Sequence, residues 1–106
     1  MQLSDFPGKK AWFIKTVTWL NNSKSILYKM EPPYLVYNVN LKHIIVSTKR
    51  YAPAYSPDTH IYAATSEGKI YFGDMLPGSI MGTESHEIVL AGIGYKIGNH
   101  DEMPEG

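Results

Sequence analysis

Two alternating runs followed by a tight turn constrain the fold of this chain more than any other feature. The runs cover residues 41–48 and 59–65, and a third, shorter run covers residues 69–72. Apolar and polar side chains alternate in each run, as expected of half-buried strands. Gly68 suits the positive φ of a hairpin turn between the second and third runs. Residues 41–72 therefore predict neighbouring strands of one antiparallel sheet.

The segment before this sheet predicts an amphipathic helix over residues 5–21. Phe13, Val17 and Leu20 follow the i, i+4, i+7 spacing of a single helix face. Pro7 fits the first turn of a helix, and Asn21 tolerates the left-handed conformation at a helix end.

Shorter elements are predicted on either side of the central strands. Residues 25–30 alternate like a strand, and Pro32 and Pro33 then predict a break because proline donates no backbone hydrogen bond. Residues 38–40 fit either a bend or a bulged strand. Near the C-terminus, a short helix over residues 84–91, capped by Thr83 or Ser85, precedes an edge strand at 95–97.

These elements together predict an α+β fold. It comprises an N-terminal helix, an antiparallel sheet of about four to five strands and a short C-terminal helix. The chain has 106 residues, which indicates one domain, predicted over 1–97 with a flexible tail at 98–106.

Composition excludes several functional classes. Lys plus Arg and Asp plus Glu each number 10, so the basic excess typical of proteins that bind duplex nucleic acid is absent. The sequence has no cysteine, which excludes disulfides and thiolate metal sites. No apolar run approaches the roughly 20 residues of a membrane span, and Met1–Pro7 does not resemble a signal peptide. We therefore expect a cytoplasmic protein without a membrane partner.

The histidines do not form a recognisable catalytic or metal-binding pattern. His43 and His60 are predicted on adjacent strands and on one face, but Asp58 is the only carboxylate close enough in sequence to be a third metal ligand. Neither histidine is followed two residues later by the hydroxyl of a paired phosphodiesterase motif. Ser85-His86-Glu87 fits a helix cap and first turn better than a catalytic triad. We expect no metal, no cofactor and no catalytic residue.

A cluster of basic and aromatic residues is the candidate binding site. Cationic groups beside exposed tyrosines can hold a phosphate and stack a base, or contact an acidic protein surface. The alternative is a solvated strand face with tyrosines that pack locally. The candidate ligand- or partner-binding residues are Lys42, His43, Lys49, Arg50, Tyr51, Tyr55 and His60.

Residues 59–97 carry a set of short motifs in a fixed order. They are Thr59 with an aromatic strand, Glu67-Gly68-Lys69, Leu76-Pro77-Gly78-Ser79, Gly82, His86-Glu87, Leu90 and Gly94-Tyr95. In these motifs the chain resembles small proteins of bacteriophages, prophages and mobile elements.

The resemblance implies a non-enzymatic accessory binding protein, with counter-defence as the expected role. Its partner would be a host defence protein such as a CRISPR effector, or a nucleotide second messenger that it sequesters. Two alternatives remain open: a structural or assembly protein that acts as a homo-oligomer, and a small hydrolase that uses His43 and His60.

Overall fold

A computed structural model of the chain describes residues 9–17, 24–49, 57–71, 75–83 and 85–98. These residues form one mixed sheet and a short helix. The strands are β1 (Lys9–Thr16), β2 (Lys24–Val36), β3 (Val39–Lys49), β4 (Asp58–Ala63), β5 (Ile80–Met81) and β6 (Tyr95–Gly98), and the helix is α1 (His86–Gly92). No helix in the described ranges is long and apolar enough to cross a membrane.

The sheet has six strands in the order β5-β4-β3-β2-β1-β6. All neighbours are antiparallel except β1 and β6, which run parallel and pair Lys9 with Tyr95. The prediction of a purely antiparallel sheet of four to five strands is therefore wrong. The parallel pair joins the two ends of the described chain, so no local sequence pattern could predict it.

The predicted N-terminal helix is also wrong, because residues 9–16 form β1. The strand pairs Phe13 with Tyr28 and Lys15 with Leu27, so Ile14 is the extra residue of a β-bulge. A bulge places two consecutive side chains on one face and breaks the period-two alternation of a strand. The resulting spacing imitates a helix, while the β-branched and aromatic side chains nearby favour a strand. The rest of the predicted helix lies outside the described residues, apart from Val17.

Most of the core lies between one face of the sheet and α1. Val89 and Leu90 of α1 are fully buried there, and Ser85 caps the helix by accepting a hydrogen bond from the backbone of Ile88. The short C-terminal helix is therefore present, with Ser85 rather than Thr83 as its cap. The sheet residues of this core are Ala11, Ile26, Tyr28, Met30, Val36, Leu41, Ile44, Val46, Ile61, Ala63 and Tyr95, joined by Leu76.

A smaller apolar cluster occupies the opposite face. Leu27, Ile45 and Ala64 are buried in it, and the turn after β4 folds over them through a bridge between Ala64 and Ile70. Gly68 adopts the expected positive φ of 92°. The predicted third strand at 69–72 is reduced to the Ile70 bridge in the described chain.

β2 runs through the predicted break at Pro32 and Pro33. A register shift in its pairing with β3 accommodates the prolines, and the peptide between Glu31 and Pro32 is cis. The chain then turns at Tyr37 and Asn38, so β3 begins directly at Val39. At the C-terminal end, Gly98 closes β6, and the remainder of the predicted tail lies outside the described residues.

Candidate functional site

The hairpin of β2 and β3 projects beyond the strands that flank it. The last pair of β1 with β2 joins Lys10 to Glu31, and the last pair of β4 with β3 joins Ala63 to Ile44. Residues 32–42 therefore form a two-stranded projection, which we call the arm. Two-stranded hairpins are marginal in water unless other parts of the protein support them.

Two tyrosines support the arm on the side of the main core. The Tyr95 hydroxyl donates a hydrogen bond of 2.6 Å to the carbonyl of Pro32, and the Tyr34 hydroxyl donates one of 3.2 Å to the carbonyl of Pro77. The two rings meet edge to face with their centroids 6.0 Å apart. Burial raises the pKa of both tyrosines, so both hydroxyls remain donors at neutral pH.

The tip of the arm is a two-residue turn that exposes apolar side chains. Tyr37 and Asn38 both have positive φ, 52° and 62°, as in the type I′ turns that match the twist of a hairpin. Leu35, Tyr37 and Val39 are 61%, 67% and 39% exposed. Tyrosine is costly at positive φ because its Cβ crowds the backbone, so this residue type is not explained by the needs of the turn.

A groove of about 340 Å³ lies beside the open edge of β3 at the base of the arm. Residues 39–43 of β3 form one wall, and Ala64, Thr65, Ser66 and Tyr71 form the other. The groove exists because β4 ends at Ala63 and the chain turns away across the opposite face. Among the described lining residues, the basic side chains are Lys42 and His43, and none is a carboxylate.

The electrostatic environment of the groove is basic. The pKa of His43 is lowered chiefly by partial burial and further by the positive charges of Lys29 and Lys42. Lys29 is paired with His43 in the β2–β3 register, so these three groups lie close together. The groove and its surroundings therefore suit an acidic ligand or partner.

Lys49, another predicted site residue, lies apart from Lys42 and His43. Lys49 pairs with Asp58 at the far end of β3, roughly 20 Å along the strand from His43. Arg50, Tyr51 and Tyr55 lie outside the described residues. Among the described members of the predicted basic-aromatic cluster, Lys42 and His43 line the groove and Lys49 does not.

His43 and His60 lie on adjacent strands, but the register of the two strands separates them. His60 is opposite Ser47, which is roughly 13 Å along β3 from His43. His60 is buried, and its Nδ1 has no hydrogen-bond partner. Its ring stacks edge to face on Tyr62 with a centroid distance of 6.3 Å. A separation this large prevents the two rings from acting as acid and base on one bond.

A buried polar network that the sequence analysis did not predict lies beneath α1. It contains the side chains of Tyr28, Thr48, Thr59 and His86, all at most 3% exposed. Thr59 donates a 2.6 Å hydrogen bond to the carbonyl of Thr83 and accepts one of 2.8 Å from Thr48. Since each hydroxyl has one proton, Thr48 in turn accepts from Nε2 of His86 at 3.0 Å.

The direction of these bonds fixes the state of His86. Its Nδ1 is left as the acceptor for the Tyr28 hydroxyl, 3.3 Å away. Burial and, to a lesser extent, the charge of Lys24 lower the pKa of His86 to about 4, which keeps the ring neutral. The network is closed to a substrate, so we assign it a structural role. One feature of the sequence could have indicated this buried histidine: His86 is the first residue of α1, a helix whose next turn is apolar.

The described residues bring no group of three or more histidine, aspartate or glutamate side chains into positions that would hold a metal ion. The strongest candidate for a functional surface is therefore the arm together with its groove, which offers exposed apolar side chains, a basic lining and an open strand edge. No protein-family model, curated protein or solved structure matches this chain.

Proposed function

We propose that this chain is a non-catalytic binding protein that uses the arm and the groove to block a host protein. The observation that carries the proposal is the tip of the arm, where Leu35, Tyr37 and Val39 are exposed and where Val39 also lines the basic groove. The resemblance to small phage and prophage proteins supports counter-defence as the biological role and a host defence protein as the target.

The exposure of the arm supports a macromolecular partner. Its large apolar side chains stand on a hairpin that no other described strand covers. The register places Val39 on one face of the hairpin and Leu35 on the other, so a partner must enclose the tip to bury both. A partner that covered Tyr37 would bury an aromatic side chain of the type most enriched at binding hot spots. That contribution also accounts for a tyrosine in a turn position that disfavours it.

The charge of the groove supports an acidic partner. Lys42 and His43 line the groove, and Lys29 adds a third basic group beside them. Such a surface accelerates association with an acidic surface and suppresses binding to basic ones. A protein partner fits these features better than a small nucleotide, because a nucleotide would have little use for the apolar tip of the arm.

The proposal is tested by affinity capture with four forms of the protein in a bacterial lysate. The forms are the wild type, Lys42→Glu, Tyr37→Asn and Lys96→Glu. The last is the matched control, because Lys96 is an exposed lysine on β6 and receives the same charge change. We expect one host protein to be retained by the wild type and by Lys96→Glu, and to be lost from the two site variants.

The biological role is tested in cells that carry the captured target. Expression of the wild type should restore phage infection of a host that the target protects, and the Lys42→Glu variant should not. Retention of the same proteins by all four forms would contradict the proposed site. A specific nucleotide-sized mass on the purified protein in native mass spectrometry, without a captured protein, would favour the sequestering alternative. A homo-oligomer without either would favour the assembly alternative.

A further inference from the structure

The edge of β3 is open along the groove. The backbone amide of Ala64 donates to the carbonyl of His43, and this bond is the last between β3 and the chain that follows β4. From His43 toward the tip of the arm, no described strand pairs with the edge of β3 that faces away from β2. Unpaired amides and carbonyls at a strand edge are a template for another strand.

The turn determines which backbone groups face the groove. Because the turn has two residues, the pair that closes it, Val36 and Val39, is hydrogen-bonded. The next pair, Leu35 and Asn40, is then a non-hydrogen-bonded pair. The amide and carbonyl of Asn40 consequently point away from β2 and toward the open edge.

We infer that an extended, acidic segment of the partner adds to the sheet as a strand alongside residues 39–43, in line with β4. The inference rests on the proposed function and specifies how the partner is held. Backbone hydrogen bonds to the edge supply affinity in this mode of recognition, and the pockets beside it supply specificity. An edge of this length accommodates about five residues, or roughly 16 Å of extended chain.

The groove has the parts that such a strand requires. Leu41 is buried at its base, and Tyr71 on the opposite wall is 64% exposed, which provides an aromatic surface for an apolar side chain of the segment. The positive charge of Lys42 on β3 is placed to meet its carboxylates. We therefore expect apolar and acidic residues to alternate along the segment, so that its apolar side chains and its carboxylates lie on opposite sides.

The charges argue against a second copy of this chain as the occupant. Antiparallel pairing of two β3 edges would bring the positive charges of Lys42 from both copies together across a short ladder. Like charges on neighbouring positions of paired strands are destabilising. An acidic segment replaces this repulsion with attraction, which is why we assign the edge to a different protein.

The test uses a displayed library of random seven-residue peptides with three baits: the wild type, Asn40→Pro and Leu35→Pro. Proline at position 40 removes the amide that faces the groove, and proline is tolerated at strand edges where no ladder bond is lost. Proline at position 35 removes the amide of the paired residue, which faces the other side of the arm. It is the matched control for the backbone change.

We expect the wild type to enrich acidic peptides and Asn40→Pro to bind the best of them at least about tenfold more weakly, as expected from the loss of an edge hydrogen bond. Leu35→Pro should bind these peptides as the wild type does, because Leu35 does not line the groove. This control applies to the peptides and not to the host protein, which the tip of the arm also contacts. Hydrogen exchange provides a readout that needs no variant: the enriched peptide should slow exchange of the Asn40 amide in the wild type and leave the Leu35 amide unchanged.

Four outcomes would overturn strand addition. They are no enrichment over empty beads, enrichment of basic peptides, equal losses in both proline variants, and unchanged exchange at Asn40. The proposed function is judged separately. If the captured host protein is lost from Lys42→Glu but retained by Asn40→Pro, the binding role stands and strand addition fails. If no host protein is captured at all, the proposed function itself fails.

Discussion

The hydroxyl of Tyr28 lies 3.3 Å from Nδ1 of His86, and both side chains are almost completely buried between the sheet and α1. The histidine accepts this bond as a neutral ring and donates from Nε2 to Thr48. Protonation would place a second proton on Nδ1, break the bond from Tyr28 and leave a charge in the core. The relationship therefore couples the stability of the fold to pH.

We expect the free energy of unfolding to fall as the pH is lowered from about 6.5 to about 4. The folded pKa of His86 is about 4, against an ordinary value of 6.5. In this window the unfolded chain binds a proton that the folded chain does not, so stability falls by about 1.4 kcal/mol per pH unit and by about 3 kcal/mol in all. The burial-lowered pKa of His43 adds a change of the same sign.

Urea unfolding at a series of pH values measures this dependence. The His86→Gln variant keeps a neutral donor and acceptor but cannot titrate, so its stability should vary much less across the window. His43→Gln is the control and should retain most of the wild-type dependence. Equal pH dependence in the wild type and in His86→Gln would contradict the assignment of the buried neutral state.

Removal of the Tyr28 hydroxyl should both destabilise the fold and raise the pKa of His86. Tyr28→Phe leaves Nδ1 of His86 without its donor in a buried position, at a cost of about 1–2 kcal/mol in unfolding free energy. The bond from Tyr28 favours the neutral ring, so its loss makes protonation easier. Denaturant unfolding measures the first effect, and NMR titration of the His86 ring measures the second.

Tyr34→Phe is the matched control for this change. It removes a 3.2 Å hydrogen bond from Tyr34 to the carbonyl of Pro77 near the surface, where water can replace the lost partner. We expect a loss of roughly 0.5 kcal/mol or less and no change in the His86 titration. A pKa of His86 that stays the same in Tyr28→Phe would show that the hydrogen bond does not govern its protonation.

Alanine substitutions at Gly78 and Gly82 distinguish two contributions to the loss of unfolding free energy. One is the strain of a positive φ, and the other is steric crowding of the added Cβ. Both have positive φ, 101° and 85°, so alanine at either position should cost about 1–2 kcal/mol of unfolding free energy. A Cβ on Gly78 would also collide with Cγ2 of Ile93, whereas a Cβ on Gly82 meets nothing within 4 Å. Gly78→Ala should therefore lose about 1–3 kcal/mol more than Gly82→Ala. Thermal unfolding of both variants measures the difference, and equal losses would mean that Ile93 moves aside freely.

The elements that the sequence predicted well are those whose patterns are local. The alternation around Ile44 and Val46 indicates β3, and the serine at position 85 correctly indicates the start of α1. β1 was mistaken for a helix because the bulge at Ile14 breaks its alternation. The parallel pairing of β6 with β1 depends on contacts between distant parts of the chain. A local pattern of apolar and polar residues cannot predict such contacts.

Of the residues predicted to bind a ligand or partner, Lys42 and His43 line the groove, and their role in binding stays a prediction. The arm was missed because Pro32 and Pro33 were interpreted as the end of a strand that in fact continues. The turn was missed as well, since Tyr37-Asn38 lacks the Asn-Gly signature of its turn type.

Replacement of Tyr37 should improve the fold and impair binding. The residue has a φ of 52°, a region that asparagine adopts more easily than tyrosine, and its side chain is 67% exposed. Tyr37→Asn should therefore raise the unfolding free energy by roughly 0.5–1 kcal/mol, because little burial is lost and the strain at the turn is reduced. If the tip of the arm contacts the partner, the same variant should weaken binding by tenfold or more, since buried aromatic side chains dominate such interfaces.

Thermal unfolding and titration with the captured partner measure the two effects on one variant. Tyr71→Asn serves as the control for the effect on stability only, because it removes an exposed tyrosine outside the arm, whereas its place in the groove wall means that it can also affect binding. It should not stabilise the fold, since Tyr71 is not among the residues with positive φ. A Tyr37→Asn protein that is more stable and still binds fully would show that the strained tyrosine has no part in recognition. Opposite changes in stability and affinity are expected when a residue is kept for binding at the expense of the fold.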